Sequence, residues 1–116
     1  MKRLSSGKIG IAQGSKVLFS DFADGGAMWT GQGDRESRHE VSFKETFLER
    51  PSVMVGISMW DIDHKHTLRA DISAEKVTKT GFDLVFRTWG DTRVARVRAD
   101  WTAIGALKDD DDWEIE

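Results

Sequence analysis

The chain has 116 residues, a formal net charge of −3 and no cysteine. This length suits one domain with one core, and 39% hydrophobic and 32% charged residues are typical of a globular chain. The slight acidity argues against nucleic-acid binding, and the missing cysteine excludes disulfides, thiol catalysis and cysteine-bound zinc.

The first seven residues are basic, but no apolar stretch follows them. The sequence therefore predicts no signal peptide. No apolar run approaches the roughly 20 residues of a membrane helix, so membrane insertion is not expected. A function outside the cell would require another export route or assembly onto a surface particle.

Apolar and polar residues alternate along most apolar stretches, which predicts β-strands with one buried face. In chain order the apolar phase consists of Ile9, Ile11, Val17 and Phe19; Val41 and Phe43; Val53, Val55, Ile57 and Met59; Leu68, Ala70, Ile72 and Ala74; Phe82, Leu84 and Phe86; and Ala95, Val97, Ala99, Trp101 and Ala103. Glycine-rich or polar turns separate these runs. The pattern predicts an all-β antiparallel sandwich of six or seven short strands.

An acidic tail at residues 108–116 follows the predicted domain at residues 1–107. Its composition favours a solvated chain end. The alternative is a calcium-binding or partner-docking tail, which requires carboxylates that converge around one ion.

Catalytic signatures are missing from the sequence: it has no nucleophile elbow, phosphate loop or dinucleotide motif. His64 and His66 lie beside Asp61 and Asp63, so a metal site or a metal-dependent hydrolase is conceivable. Side chains two positions apart on an extended segment point to opposite faces, which favours a solvated turn instead. We expect no enzyme activity, no metal and no cofactor.

Five tryptophans accompany no tyrosine. Trp101 falls in the inward phase and is predicted to be core. Trp29, Trp60 and Trp89 fall in loops or at strand ends. An exposed indole suits a sugar because the C–H face of a pyranose packs on the ring, although anchoring a partner or covering the core explains such positions equally well.

Short segments in order, together covering about residues 6–105, resemble the H-type lectin family of snail agglutinins and discoidin carboxy-terminal domains. They are Ser6-Gly7-Lys8-Ile9, Val41-Ser42-Phe43, Phe47, Arg50-Pro51-Ser52-Val53, Val55-Gly56-Ile57-Ser58, Asp61-Ile62-Asp63, Leu68-Arg69, Val77-Thr78, Gly81-Phe82, Thr88-Trp89-Gly90-Asp91-Thr92-Arg93-Val94 and Trp101-Thr102-Ala103-Ile104-Gly105. The resemblance implies a six-stranded antiparallel sandwich that forms homotrimers, some paired into hexamers. It implies metal-free binding of galactose-type glycans, often N-acetylgalactosamine, in a shallow cleft between subunits, as in cell adhesion.

The resemblance also implies a set of carbohydrate-binding residues. Arg69 matches the family's sugar-binding arginine and is expected on the outward phase of its strand. Trp89 matches the tryptophan of the Thr-Trp motif. The aspartate of the first long loop aligns with Gln32, or with Asp34 after a two-residue slip, and Asp34 is preferred. Asp91 is a secondary candidate.

This sequence departs from the snail lectins near the implied site. Gly90 replaces a histidine and Ala95 replaces an aromatic residue, and both positions contact or border the sugar there. Ile11 and Phe86 replace a cysteine pair, which suggests that packing between them takes over from the crosslink. The missing signal peptide and the changes at Gly90 and Ala95 favour an alternative function, a structural or adhesion module of a phage or bacterial surface particle with little sugar affinity.

Overall fold

The computed structural model describes residues 1–4 and 7–108, without the side chains of residues 23 and 24. In chain order this part contains β1 (Ile9–Ser20), α1 (Asp21–Asp24), α2 (Ala27–Thr30), β2 (Arg35–Ser42), β3 (Ser52–Ile62), β4 (Asp71–Glu75), β5 (Gly81–Thr88) and β6 (Val94–Ala106). Neither helix in the described part is long and apolar enough to cross a membrane. The division into a domain and an acidic tail stays a prediction, because residues 109–116 lie outside the described residues.

The strands form two antiparallel three-stranded sheets: sheet A with the order β1-β6-β3, and sheet B with the order β2-β5-β4. The predicted six-stranded antiparallel sandwich is therefore confirmed. The central strands β5 and β6 are joined by a short turn, so the start of β6 and the end of β5 lie at the same end of the sandwich. We call this end, with the loops that precede β2 and β4, the loop end.

In the central strands β5 and β6 the core forms as the alternation predicts, because their inward side chains are sealed from solvent. Leu84, Phe86 and Val97 are at most 1% exposed. Trp101 packs against this core, with its ring centroid 5.4 Å from that of Phe82. A Cβ on Gly14 would lie 2.5 Å from Nε1 of Trp101, so the glycine lets β1 pass close to the indole.

Two expectations are wrong: the buried apolar phase predicted for β1, and the packing of Ile11 with Phe86. Ile9, Ile11 and Val17 are each more than half exposed. Ile11 does not pack with Phe86: Ile11 is 63% exposed on the outer face of sheet A, whereas Phe86 is buried and contacts Phe19 at 5.6 Å between ring centroids. Val85 lies on the outward phase of β5 yet is 0% exposed. Its pair residue on β2, Arg38, spreads over this outer face to bind acidic side chains on three strands, namely Glu36, Glu75 and Asp83.

The first long loop also differs from its prediction as an irregular glycine-rich segment, because it contains the one-turn helices α1 and α2. Met28 of α2 is 5% exposed and belongs to the core. The carboxylate of Asp21 accepts a hydrogen bond from the Met28 N–H at 3.0 Å, and the Asp21 carbonyl accepts one from Gly26 at 2.9 Å. These contacts fix the loop on the end of sheet A.

Candidate functional site

Arg69 is bound to the turn between β5 and β6. Its Nη1 donates to Oδ1 of Asp91 at 2.6 Å and lies 3.4 Å from both the Thr92 hydroxyl and the Thr67 carbonyl. Within the described residues the guanidinium of Arg69 forms its hydrogen bonds through Nη1, so Nε and Nη2 remain available to a ligand. The hydrogen bond from Arg69 holds the pKa of Asp91 below its ordinary value, so this carboxylate is ionised at neutral pH.

The segment that carries Arg69 is not part of a strand, because β4 begins at Asp71. The expected outward strand position is therefore wrong. Thr88 donates its hydroxyl to the Arg69 carbonyl at 2.5 Å, and Thr92 donates to the Thr67 carbonyl at 2.6 Å. Both threonines are at most 1% exposed. Buried hydroxyls thus satisfy carbonyls that a neighbouring strand would otherwise pair, and they fix the backbone of Arg69.

Gly90 lets the guanidinium lie against the turn. Its φ is 69°, in the left-handed region that glycine tolerates. A Cβ at this position would lie 2.9 Å from Nη1 and 3.1 Å from Cζ of Arg69. The guanidinium therefore lies against the backbone between Trp89 and Asp91 and reaches the Asp91 carboxylate.

Arg35 ties the first long loop to the same turn, a role that the sequence interpretation missed. It donates from Nε to the Gly33 carbonyl at 3.0 Å, from Nη1 to the Met28 carbonyl at 3.1 Å and from Nη2 to the Gly90 carbonyl at 3.2 Å. Gly33 also donates its N–H to the Gly90 carbonyl at 2.9 Å. The available signal was an arginine directly after a glycine-rich loop, because one guanidinium can donate hydrogen bonds to several backbone carbonyls.

Two of the five implied site residues border a cleft of about 470 Å³, which we call the Trp89 cleft. Its lining consists of Asp34, Arg35, Glu36, Asp71, Arg87, Thr88 and Trp89. Asp34 and the 42%-exposed Trp89 therefore share one cleft. Arg69 and Asp91 do not line it but adjoin it through Gly90. Gln32 is exposed beside Gly33 and is not among the lining residues.

Paired charges form the wall of the Trp89 cleft on sheet B. Arg87 contacts Glu75 at 2.6 Å and Glu36 at 2.9 Å. Hydrogen bonds from Arg87 and then Arg38 lower the pKa of Glu75 to about 2, and the bond to Glu75 raises the pKa of Arg87. The charges stay ionised and largely compensate one another at neutral pH. Donors, acceptors and an exposed indole suit an uncharged ligand that is rich in hydroxyl groups and has one apolar face.

The family model described as "H-type lectin domain" matches residues 38–104, more than half of the chain. The chain belongs to the H-type lectin domain family. The matched segment contains Arg69, Trp89 and Asp91, whereas Gln32 and Asp34 precede it. The family match therefore covers the turn around Gly90 but not the first long loop.

Relatives and solved structures agree with this membership. The chain is 62% identical over 116 residues to "ATP synthase subunits region ORF 7" of Fuscovulum blasticum, which it matches over the whole of both chains. It is 35% identical over 81 residues to a discoidin-1 chain of Dictyostelium discoideum, covering 69% of this chain and 32% of that one. It superimposes on wild-type discoidin II of the same organism with a TM-score of 0.74 and 26% identity, covering 85% of this chain and 37% of that one. The chain thus spans about a third of the discoidins.

The histidine loop of this H-type lectin domain follows β3. His66 Nδ1 lies 2.9 Å from Asp63 Oδ2, and His64 Nδ1 lies 4.0 Å from Asp63 Oδ1. Asp63 also accepts the Lys65 N–H, which is the main reason its pKa is lowered, and donates its own N–H to the Arg93 carbonyl. Among residues 1–4 and 7–108, no group of three or more metal-ligating side chains converges. The hydrogen bonds of Asp63 therefore stabilise the turn between β3 and Arg69.

Proposed function

We propose that this chain is a carbohydrate-binding lectin for galactose-type pyranosides, including N-acetylgalactosamine, and that it is not an enzyme. Arg69, Trp89 and Asp34 contact the sugar, while Gln32 and Asp91 contribute from its border. The proposal rests on the junction at Gly90, where Arg69 lies against the residue between an exposed indole and a carboxylate.

The chemistry of a pyranose matches this junction. Its apolar C–H face packs on an indole, and its hydroxyls both donate and accept hydrogen bonds. Arg69 retains Nε and Nη2 as donors in the described part of the chain, and Asp34 is an exposed acceptor on the cleft wall. Because Asp91 compensates the charge of Arg69, a neutral sugar meets no large unpaired charge.

The test compares Arg69→Ala and Trp89→Ala with Arg98→Ala, which removes an exposed arginine from the outer face of sheet A. Glycan-array binding and calorimetry with N-acetylgalactosamine are measured on folded variants. We expect Arg69→Ala and Trp89→Ala each to weaken binding by about tenfold or more, the effect of losing one good polar or stacking contact. Unchanged affinity in both would contradict the site. No binding to any glycan by the unmutated protein would favour the surface-particle module instead.

We further propose that the lectin is a homotrimer or hexamer whose subunits meet through the outer face of sheet A. Ile9, Ile11 and Met54 on this face are each more than half exposed. Ile11 pairs with Ile104 on β6, and Met54 pairs with Thr102. Near the end opposite the loop end, the hydroxyl of Thr102 is therefore the one polar side-chain group among these four residues. Several exposed apolar side chains on one face of a sheet are typical of an interaction surface.

Light scattering tests the assembly. Ile11→Lys should reduce the molar mass toward that of one subunit, because a lysine cannot be buried there without a partner. Glu40→Lys is the matched control, since it places a lysine on the exposed face of sheet B. A monomeric unmutated protein, or equal masses for both variants, would show that this face does not join subunits.

A further inference from the structure

A second cleft of about 450 Å³ lies on the other side of the loop end, and we call it the Trp29 cleft. It is lined by Ser20, Phe22, Trp29, Asp61, Ile62, Ala95 and Arg96. None of these residues lines the Trp89 cleft. Of these residues, only Ala95 occupies a position to which the family resemblance assigns a role near the sugar. There it replaces the aromatic residue of the snail lectins.

Two aromatic rings form one wall of the Trp29 cleft. Phe22 is 62% exposed, and its centroid lies 5.0 Å from the Trp29 ring at an interplanar angle of 81°. An exposed phenylalanine held edge-to-face against an indole presents a broad apolar surface to solvent. Such surfaces are uncommon on soluble domains unless they bind something.

The aromatic wall is held rigidly. Trp29 follows Met28, whose side chain is buried and whose backbone N–H and carbonyl are bound by Asp21 and Arg35 respectively. A Cβ on Gly26 would clash with the carboxyl group of Asp21, so the glycine permits this close contact between the helices. A preformed wall spares a ligand the entropy cost of ordering it.

Polar side chains also line the Trp29 cleft. Ser20, Arg96 and Asp61 lie in one row across β1, β6 and β3. Arg96 Nη2 contacts Asp61 Oδ2 at 3.0 Å, and both side chains are about half exposed. Within the described residues this is the only contact of the Arg96 side chain, so Nε and Nη1 remain available as donors.

We propose that the Trp29 cleft is a second saccharide site, in which Phe22 and Trp29 receive the C–H face of a pyranose and Arg96 and Asp61 bind its hydroxyls. The ligand class follows from the combination of an apolar platform with a neutralised pair of planar donors and acceptors. The cleft has nearly the volume of the Trp89 cleft. This inference rests on the proposed lectin function, but it concerns separate residues.

Tryptophan indole N–H signals in two-dimensional NMR spectra report each cleft separately. Trp29→Phe and Trp89→Phe assign the two signals, and the unmutated protein is titrated with N-acetylgalactosamine and with methyl β-galactopyranoside. We expect the Trp29 signal to shift along its own saturable curve. In Arg69→Ala, the titration curve of the Trp89 signal should move to about tenfold higher sugar concentration, while the curve of the Trp29 signal stays in place.

Phe22→Ala and Arg96→Gln test the contacts, and Arg98→Gln is the control because it alters the next exposed arginine of β6. Phe22→Ala and Arg96→Gln should weaken the binding curve of Trp29 about tenfold and leave that of Trp89 unchanged.

The outcomes separate the two proposals. A Trp29 signal that stays fixed while Trp89 responds overturns the second site and leaves the first. Fixed signals at both tryptophans overturn both. A fixed Trp29 signal combined with a lower molar mass for Phe22→Ala would assign the cleft to contact between protomers, which also overturns the proposal.

Discussion

Gly90→Ala isolates the feature on which the proposed sugar site depends, because it adds one methyl group against the Arg69 guanidinium. Two effects are expected. The residue must keep a φ of 69°, which an L-side chain tolerates poorly. In addition, the new Cβ would lie 2.9 to 3.3 Å from three atoms of the Arg69 guanidinium group, so that group must move away from its contact with Asp91.

The size of each effect follows from the structure. Forcing alanine into the left-handed region costs about 1–2 kcal/mol, which in a domain of this size lowers the melting temperature by roughly 4–8 °C. Arg69 can swing aside at little further cost in stability because its terminal atoms are flexible. Its displacement should instead weaken sugar binding by about tenfold, the loss of one hydrogen bond of about 1.4 kcal/mol.

Gly25→Ala is the matched control. Gly25 has a φ of 63° and no heavy atom within 4 Å of the position its Cβ would take, so it carries the same backbone strain without displacing an arginine. Thermal unfolding and calorimetry with N-acetylgalactosamine are measured for both variants. We expect similar losses of stability and a loss of affinity only for Gly90→Ala. Equal affinities in the two variants would refute the claim that Gly90 positions Arg69.

Two further predictions concern the framework of the site. Thr88→Val should lower the free energy of unfolding by about 1–2 kcal/mol and weaken sugar binding, because the Arg69 carbonyl loses its buried donor. Thr88→Ser keeps the hydroxyl and should retain both stability and binding. Equal unfolding curves for Thr88→Val and the unmutated protein would contradict this role. The pKa of Glu75 is lowered from 4.5 to about 2 in the folded protein, so its stabilising effect is present above pH 4.5 and is lost as the pH falls toward 2. Glu75→Gln should therefore flatten the dependence of the melting temperature on pH in that interval, and an unchanged slope would show that the pairs with Arg87 and Arg38 do not stabilise the fold.

The sandwich was predictable because side chains along a strand alternate between its two faces, so apolar residues at every second position indicate a buried face. The alternation of Val97 and Ala99 with charged neighbours identifies a buried face without any knowledge of partner strands. Whether an outward residue is exposed was not predictable in this way. Val85 is covered by an arginine from the adjacent strand, whereas Ile11 is open on the other sheet. Whether a side chain of a neighbouring strand covers such a residue depends on the register between the two strands. The sequence of one strand does not determine that register.

The site was accessible through family resemblance and not through periodicity. The motif around Trp89 indicated the turn, but nothing local showed that Thr88 and Thr92 would take the carbonyls beside Arg69. These contacts join residues 19 and 25 positions apart in the chain. The one-turn helices were missed for a similar reason, since four residues are too few for a periodic signal and burial of Met28 stabilises them instead.

Both clefts lie at the loop end, and each has a tryptophan in its lining. The Arg96–Asp61 pair lines the Trp29 cleft, whereas the Arg69–Asp91 pair lies at Gly90, next to Trp89 in the chain. If each binds a saccharide, one protomer is already bivalent, and crosslinking of glycan-coated particles does not depend on assembly alone. The monomer produced by Ile11→Lys should then still agglutinate such particles, although more weakly than the oligomer. Adding Phe22→Ala to that monomer should abolish agglutination while calorimetry still detects binding at the Trp89 cleft. Agglutination by the double variant would show that the valency comes from somewhere other than the Trp29 cleft.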